Sequence, residues 1–323
     1  MSARRAHAGR LVFSGAVAGT HTQPEFRVGT ASWTDPTLLA AGFYPRTAKT
    51  AEARLRFYAE HFPTVEVDST YYALPAERNA VLWAQRTPAG FHFNIKAFAL
   101  LTQHPAETRA LPAPLKALLP AEALRQARLS HPSERVLELS FEMFRGALAP
   151  LRDAGKLGCI LFQFPPWFVA NHAHEAYIDL CRSQLPDDRL AIEFRHTSWL
   201  NGRTAHTLAF LADHSLSLVC VDAPQAPRIA HPPFVSTTDI AYVRLHGRNR
   251  RAWYQRTASA AQRFNYLYSN AELRDCAAAV RRLHPSAPGA SRARVVYVIF
   301  NNCYADYGVQ NARTMQGLLA ADA

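Results

Sequence analysis

Eight short runs rich in Val, Ile, Leu and Phe recur along the chain, and they constrain its fold more than any other feature. Runs of this composition are typical of buried strands. Most of them are separated by segments in which apolar residues return at helical spacing, namely 49–62, 133–154, 271–283 and 311–319. Strands that alternate with helices indicate parallel β-α-β units, so the pattern predicts a TIM-type (β/α)8 barrel. The predicted strands are 26–32, 64–68, 91–96, 157–164, 190–196, 217–222, 240–246 and 295–301.

Two segments depart from this regular alternation. Residues 100–132 follow the third predicted strand and are rich in Pro, Ala and Leu, so we expect an insertion with a short helix or two over the barrel mouth. Proline removes a helical hydrogen bond, and a cluster of prolines follows the sixth predicted strand. The helix after strand six is therefore predicted to be missing or rudimentary. These prolines are Pro224, Pro227, Pro232 and Pro233.

The N-terminal segment and the cysteines indicate the cellular location of the protein. Residues 1–24 carry three arginines and no acidic residue, and we expect a mobile basic tail before a single barrel domain at 25–323. The apolar stretch 11–18 is short and interrupted for a signal peptide, and no apolar run is long enough to span a membrane. The five cysteines are scattered, odd in number and form no C-x-x-C pair, which favours reduced thiols. We therefore predict a cytoplasmic protein with no membrane partner.

The polar residues of the predicted strands fall on one face of each strand. Successive side chains of a strand alternate between its two faces, and the apolar face packs against the outer helices. The polar face must then point into the barrel, where branched apolar side chains are usual. Burying an unpaired charge costs several kcal/mol, so these charges are expected to pair with one another or to bind a ligand. The predicted inward residues are Glu66, Asp68, His92, Asn94, Lys96, Gln163, Glu193, Arg195, Tyr242, Arg244 and His246.

A series of short motifs runs through the same segments, from about residue 26 to the C-terminus. They include Gly29-Thr-Ala-Ser-Trp33, Thr64-Val-Glu-Val-Asp-Ser-Thr-Tyr-Tyr72, Leu161-Phe-Gln-Phe-Pro-Pro166, Glu193-Phe-Arg-His-Thr-Ser-Trp199, Tyr242-Val-Arg-Leu-His-Gly247, Phe264-Asn-Tyr-Leu-Tyr268 and Phe300-Asn-Asn302. In this order they resemble the domain-of-unknown-function 72 family, also called YecE-like. The resemblance implies a TIM-barrel fold and supplies no reaction. The tail and much of the 100–132 insertion lie outside it.

The inward charges are suited to a small anionic substrate that bears phosphate or carboxylate. Arg195 and Arg244 can hold such a group through bidentate hydrogen bonds. A carboxylate and a histidine can transfer protons, and a buried lysine can bind an anion or form a Schiff base. We predict Glu66, Glu193, His246 and Lys96 as catalytic residues, and Arg195, His196, Arg244, Asn301, Asn302, Gln163 and Asp68 as substrate-binding residues.

Several alternatives stay open for these side chains. His196 also suits a hydrogen-bonded core histidine, and Asn301 and Asn302 also suit a turn. A scaffold without catalysis is possible if the inner charges only neutralise one another. Glu66, Glu193, Asp222 and His246 are metal-ligand types, but Lys96, Arg195 and Arg244 are predicted to share their space and would repel a divalent ion. We therefore expect no metal and no cofactor.

The chain has a net charge of +11, which attracts anionic partners. Residues 247–268, after the seventh predicted strand, interleave arginines with aromatic residues and contain no acidic residue. Such a segment can grip phosphates and stack bases, so nucleic acid is a possible partner. It equally suits a lid over a small anion, or a plain solvated loop. The residues concerned are Arg248, Arg250, Arg251, Arg256 and Arg263, with Trp253, Tyr254, Phe264, Tyr266 and Tyr268.

Overall fold

Eight parallel strands close into a barrel in the computed structural model, which describes residues 25–224, 230–253, 255, 260–283 and 293–321. The predicted TIM-type barrel is therefore confirmed. Two further strands, only two residues long, pair antiparallel outside the barrel. The barrel strands are β1 (Glu25–Ala31), β2 (Thr64–Val67), β3 (His92–Lys96), β6 (Leu157–Gln163), β7 (Leu190–Glu193), β8 (Leu216–Asp222), β9 (Ile240–Leu245) and β10 (Val295–Phe300), and the short pair is β4 (Ala106–Glu107) and β5 (Arg128–Leu129).

Helices cover the outside of the barrel, and polar residues fix several of their first turns. The side chains of Thr50, Ser133 and Asn171 each accept a hydrogen bond from a backbone N–H of the helix that follows. The helices are α1 (Pro36–Ala40), α2 (Ala51–His61), α3 (Glu77–Gln85), α4 (Ala113–Lys116), α5 (Ala121–Arg125), α6 (Glu134–Ala147), α7 (Ala149–Asp153), α8 (His172–Gln184), α9 (Thr204–Asp213), α10 (Arg250–Trp253), α11 (Ala260–Arg263), α12 (Asn270–Arg281) and α13 (Tyr307–Ala320). In the part of the chain that the structure describes, no helix is long and apolar enough to cross a membrane.

The helix predicted at 133–154 is in fact two helices, α6 and α7. Pro150 lies in the first turn of α7, where its missing N–H is tolerated, and it could not continue α6. Between β8 and β9, residues 223–224 and 230–239 contain no helix, as the prolines predicted. Residues 225–229, with Pro227, and the predicted tail at 1–24 lie outside the described residues.

The 100–132 insertion packs against the barrel through its leucines. It holds α4, α5, the β4–β5 pair and a short 3-10 helix at Thr108–Ala110. Leu111, Leu115 and Leu129 are buried, and they belong to the same apolar core as the outer helices. The segment is thus an ordered part of the fold, although its sequence contains little regular periodicity.

Inside the barrel, apolar side chains fill the layers below the mouth. Ala31, Leu161, Val219, Tyr242 and Ile299 belong to one inner cluster, separate from the core between strands and helices. The members of this inner cluster fit the alternation of inward and outward side chains along each strand. The inward charged residues lie above the cluster, at the carboxyl ends of β2, β3, β7 and β9.

A β-bulge in β6 makes room for a buried amide. The pairing register shifts between Phe93 and Ile95, so β6 has one residue more than β3 over this stretch. The Asn94 side chain accepts a hydrogen bond from the backbone N–H of Cys159, at 2.9 Å, and donates one to Thr64. A Cβ on Gly158 would lie 2.5 Å from the Asn94 Oδ1. Because residue 158 is a glycine, the Asn94 side chain can come close enough to accept the hydrogen bond from the Cys159 N–H at the bulge.

The contact between β1 and β2 leads to a testable expectation. A Cβ on Gly29 would lie 2.1 Å from the carbonyl oxygen of Thr64, a backbone atom that cannot rotate away. We expect Gly29→Ala to lower the free energy of unfolding by about 3 kcal/mol, measured by urea denaturation. The matched control is Gly146→Ala in α6, where nothing lies within 4 Å of the added Cβ. That change should raise stability by roughly 0.5–1 kcal/mol, and equal effects at both sites would contradict the expectation.

Candidate functional site

Arg244 of β9 lies at the centre of the charged layer and is paired on two sides. Its Nη1 donates to Glu193 Oε2 and its Nη2 donates to Glu66 Oε1, both at 2.6 Å. The Tyr242 hydroxyl donates to the second oxygen of Glu66, at 2.9 Å. All three charged side chains are buried, since none exposes more than 3% of its surface. The guanidinium therefore ties β2, β7 and β9 together; for brevity we call Arg244, Glu66 and Glu193 the Arg244 clamp.

Glu193 accepts hydrogen bonds at both carboxylate oxygens. Gln163 Nε2 donates to Oε1 at 2.6 Å, and His246 Nε2 lies 3.2 Å from the same oxygen. Burial acts to raise the pKa of Glu193, but Arg244 and then His246 outweigh it and hold that pKa well below its ordinary value. Glu193 is thus ionised, and its two carboxylate oxygens already accept hydrogen bonds from neighbouring side chains.

His246 is held at both ring nitrogens. Asn301 Nδ2 lies 2.8 Å from Nδ1, which places the acceptor nitrogen there and the ring proton on Nε2, towards Glu193. Burial lowers the pKa of His246, so the imidazole is neutral near neutral pH. Asn301 therefore fixes the tautomer, and His246 faces the mouth as an oriented, uncharged ring.

Lys96 and Arg195 differ from Arg244, because neither side chain makes a hydrogen bond or ion pair with any residue that the structure describes. The Lys96 Nζ lies 4.6 Å from the centre of the Tyr71 ring. Burial, together with the charges of Arg244 and Arg195, lowers the pKa of Lys96 to about 8. Burial also lowers the pKa of Arg195. Two cations at the mouth are thus available to a ligand.

Asp68 lies one residue beyond β2 and is half-buried. Its side chain does not cap the short 3-10 helix Ser69–Tyr71 that follows. Burial, and then the nearby charge of Glu66, raise the pKa of Asp68, while Lys96 opposes the shift. A carboxyl group with a raised pKa beside a lysine with a lowered pKa is an arrangement that can exchange protons.

A cavity of about 180 Å³ opens beside Glu193, Arg195 and His246. Segment 247–268 is here called the lid segment, and its described residues Trp253, Arg263 and Phe264 line one side of the cavity. The rings of Trp253 and Phe264 each lie 6.2 Å from the His246 ring. The Arg263 Nε is buried without a hydrogen-bond partner among the described residues. The lining residues include Pro166, Glu193, Arg195, His246, Trp253, Arg263 and Phe264. Tyr254 and Arg256 of this segment lie outside the described residues.

Both ends of the lid segment are anchored to the barrel. At its start, Arg248 donates to Asp222 of β8, with Nη2 2.7 Å from Oδ2, and to Glu272 of α12. At its end, the Tyr268 hydroxyl donates to Asp222 at 2.7 Å. The side chains of Asn302 and Asn311 bind the backbone of Tyr266 and Tyr268. Asp222, considered above only as a metal-ligand type, therefore holds the lid segment in place.

Two predicted substrate-binding residues have local structural partners. His196 caps the 3-10 helix Thr197–Trp199, where its Nδ1 accepts from the Ser198 N–H at 3.1 Å. Asn302 is fully buried behind the lid segment. Of the predicted site residues, Glu193, Arg195 and His246 line the cavity. The others do not, namely Glu66, Asp68, Lys96, Gln163, His196, Arg244, Asn301 and Asn302. In the part of the chain that the structure describes, no three His, Cys, Asp or Glu side chains are grouped as metal ligands.

Sequence reasoning missed four aromatic residues at the mouth. Tyr71 and Tyr72 lie just beyond β2, and Trp167 lies just beyond β6 after two prolines. His104 comes from the insertion and contacts both Tyr71 and Trp167. The Tyr-Tyr pair in the motif of residues 64–72 was visible in the sequence, but nothing there joined it to His104.

The family model described as "Protein of unknown function DUF72" matches residues 27–323. The chain belongs to the DUF72 family. The resemblance seen in the motifs is thereby confirmed. The UPF0759 protein YunF of Bacillus subtilis (strain 168) is 30% identical over 299 residues, which cover 90% of this chain and 94% of that protein.

Solved structures of DUF72 family proteins have the same fold. The crystal structure of one from Enterococcus faecalis V583 is 27% identical, with a TM-score of 0.73 over 91% of this chain and 95% of that chain. One from Thermotoga maritima MSB8 is 28% identical, with a TM-score of 0.71 over 92% and 99%. These similarities establish the family and the barrel, and they leave substrate and mechanism to be argued from the site.

Proposed function

We propose that this DUF72 protein binds a small substrate bearing phosphate or carboxylate at the carboxyl ends of its strands and transforms it by proton transfer. One observation carries the proposal. Arg244 is ion-paired with both Glu66 and Glu193, whereas the side chains of Lys96 and Arg195 lie at the same mouth with no carboxylate in ion-pair contact among the described residues. Partial burial of a cation without an ion-pair partner is costly, and an anionic ligand would relieve that cost.

Arg195 is the main anion-binding residue in this proposal. Its planar guanidinium suits two oxygens of a phosphate or carboxylate at once. Arg263 of the lid segment lines the same cavity and adds a second guanidinium from above. Closure of the lid segment would then remove the anion from water, which strengthens each of these interactions.

Lys96 and Asp68 are the proposed proton carriers. A general acid or base works best when its pKa lies near the working pH, and the pKa of Lys96 is lowered to about 8. Asp68 has a raised pKa and interacts electrostatically with Lys96. Glu66 and Glu193, first predicted as general bases, are assigned here to holding Arg244, and His246 to shaping the cavity wall.

The affinity for a simple anion should fall as the pH rises through about 8, where Lys96 loses its charge. Sulfate is a suitable probe because its own charge is constant in this range. We expect its affinity, measured by calorimetry between about pH 7 and about pH 9.5, to fall about tenfold on loss of the Lys96 charge. Lys96→Arg should remove this pH dependence, since arginine stays charged. Lys96→Met should bind weakly at every pH.

Lys49→Met is the matched control, because Lys49 is exposed on the surface. It should leave the pH profile unchanged. If no sulfate, phosphate or carboxylate binds the wild-type protein or raises its melting temperature beyond a general salt effect, the proposed function is wrong.

Nucleic acid is the second candidate, favoured by the exposed side chains of Arg250 and Arg251 on α10. Against it, Arg248 is paired with Asp222, and Trp253 and Phe264 face His246 in the cavity. This candidate would be favoured if single-stranded DNA is retained, if its affinity weakens steeply with salt concentration, and if Arg250→Ala and Arg251→Ala reduce that salt dependence.

A cytoplasmic location is part of the main proposal, and the absence of any disulfide among the five cysteines supports it.

A further inference from the structure

Four aromatic side chains form a continuous row beside the unpaired cations, and we call them the aromatic rim: Tyr71, Tyr72, His104 and Trp167. Tyr71 is the centre of the row, with its ring centre 5.1 Å from that of Tyr72 and 5.3 Å from that of His104. The His104 and Trp167 ring centres are 5.6 Å apart. Because Lys96 contacts Tyr71, the middle of the aromatic rim lies beside one of the cations proposed to bind the anion.

The two outer members of the aromatic rim are unusually exposed. Tyr72 exposes 67% of its surface and Trp167 exposes 57%. Large aromatic side chains are mostly buried in folded proteins, because each removes a large apolar area from water. Tyr71 and Tyr72 meet at 89°, and His104 meets Trp167 at 68°, so the exposed rings do not stack on their neighbours. More than half of the surface of each exposed side chain is therefore accessible to a ligand.

The aromatic rim carries no charge of its own near neutral pH. Burial, and then the charges of Arg195 and Lys96, lower the pKa of His104 to about 4. Burial raises the pKa of the Tyr71 and Tyr72 phenols. The mouth therefore has an uncharged aromatic part next to a cationic part. A ligand that satisfies both must combine an apolar flat group with an anionic one.

We propose that the substrate carries an aromatic or heteroaromatic ring joined to its anionic group, with the ring packed on one of the two exposed ends of the aromatic rim, Tyr72 or Trp167, and the anion against Lys96 and Arg195. This inference rests on the proposed function, because it assigns the second half of the same ligand. Pro166, which precedes Trp167, lines the cavity, so a ring on Trp167 lies directly outside it. Stacking on a preformed ring gives affinity without hydrogen-bond readout.

The experiment compares three probes by calorimetry at one pH and one ionic strength: inorganic phosphate, glycerol 3-phosphate and phenyl phosphate. We expect phenyl phosphate to bind about tenfold more tightly than glycerol 3-phosphate. One of Trp167→Ala and Tyr72→Ala should remove most of that preference, which identifies the end of the aromatic rim that holds the ring, and both should leave the affinity for inorganic phosphate unchanged. Trp167→Phe should keep most of it. Leu180→Ala, which truncates an exposed apolar side chain on α8, is the control and should change nothing.

The outcomes separate this inference from the proposed function. If inorganic phosphate binds but phenyl phosphate has no advantage over glycerol 3-phosphate, the aromatic rim is not a ring site and the proposed function stands. If the advantage survives in both Trp167→Ala and Tyr72→Ala, the inference is also wrong, because the ring lies elsewhere. If none of the three probes binds, the proposed function itself fails.

Discussion

Arg244→Met is expected to lower the free energy of unfolding by about 3–5 kcal/mol, the usual cost of leaving a buried charge without its partner. The change removes the cation between Glu66 and Glu193, which expose at most 3% of their surface. Methionine fills a similar volume, so the loss reports charge more than packing. Urea denaturation at neutral pH measures it.

The triple variant Arg244→Met, Glu66→Gln, Glu193→Gln is the control for this prediction. It removes the charges together, and it should recover most of the lost stability. The pH dependence gives a second check. In the wild-type protein the pKa of Glu193 is depressed, so its contribution to stability is present above the unfolded-state pKa and is lost as the pH falls.

In Arg244→Met we expect the buried carboxylate to affect stability with the opposite pH dependence, so that its cost becomes smaller as the pH falls. Without the guanidinium, the effect of burial, which raises the pKa of Glu193, should dominate, and protonation of Glu193 in acid would relieve part of the cost. The difference in stability between wild type and variant should therefore narrow below about pH 5. A single variant that is as stable as the wild type at neutral pH would contradict the assignment of the Arg244 clamp.

Unlike Arg244→Met, the variant Arg195→Met should lose ligand binding and keep the stability of the wild-type protein. We expect the affinity for sulfate to fall about thirtyfold or more, since truncating one partner of a desolvated charge pair costs at least about 2 kcal/mol. Stability should stay within about 1 kcal/mol of the wild type, because Arg195 pairs with no carboxylate among the described residues. Calorimetry and urea denaturation measure the two quantities separately.

Arg195→Lys and Arg250→Met complete this experiment. Lysine keeps the charge but lacks the planar pair of donors, so sulfate binding should weaken less than in Arg195→Met. Arg250 is exposed on α10, and its loss should leave sulfate binding nearly unchanged. If Arg195→Met bound sulfate like the wild type, or unfolded, Arg195 would have to be reassigned from ligand binding to the fold.

The barrel and the inward residues were accessible from sequence because strand periodicity is a local property. The alternation of Glu66 with Val65 and Val67 is enough to assign one face inward once the outer helices are inferred. The positions of Lys96 and Glu193 follow by the same argument. These predictions need no knowledge of which strands are neighbours across the barrel.

The pairing of the charges was not accessible in this way. Whether Arg195 or Arg244 meets the two carboxylates depends on the stagger of the strands, and the two arginines have similar sequence surroundings. The role of His196 depends on a 3-10 turn, and the contact between His104 and Trp167 depends on how the insertion folds back. These are long-range or irregular features, for which residue patterns contain little information.

The Arg244 clamp also has a consequence for how such a barrel can change its ligand over time. Its ion pairs lie within the strands, while the groups proposed to meet the ligand, except Lys96, lie on segments beyond the strand ends. Substitutions at Tyr72, Trp167 or Arg263 can therefore alter ligand preference without exposing a buried charge. A barrel built in this way can diverge towards new substrates, or be redesigned for them, at little risk to folding.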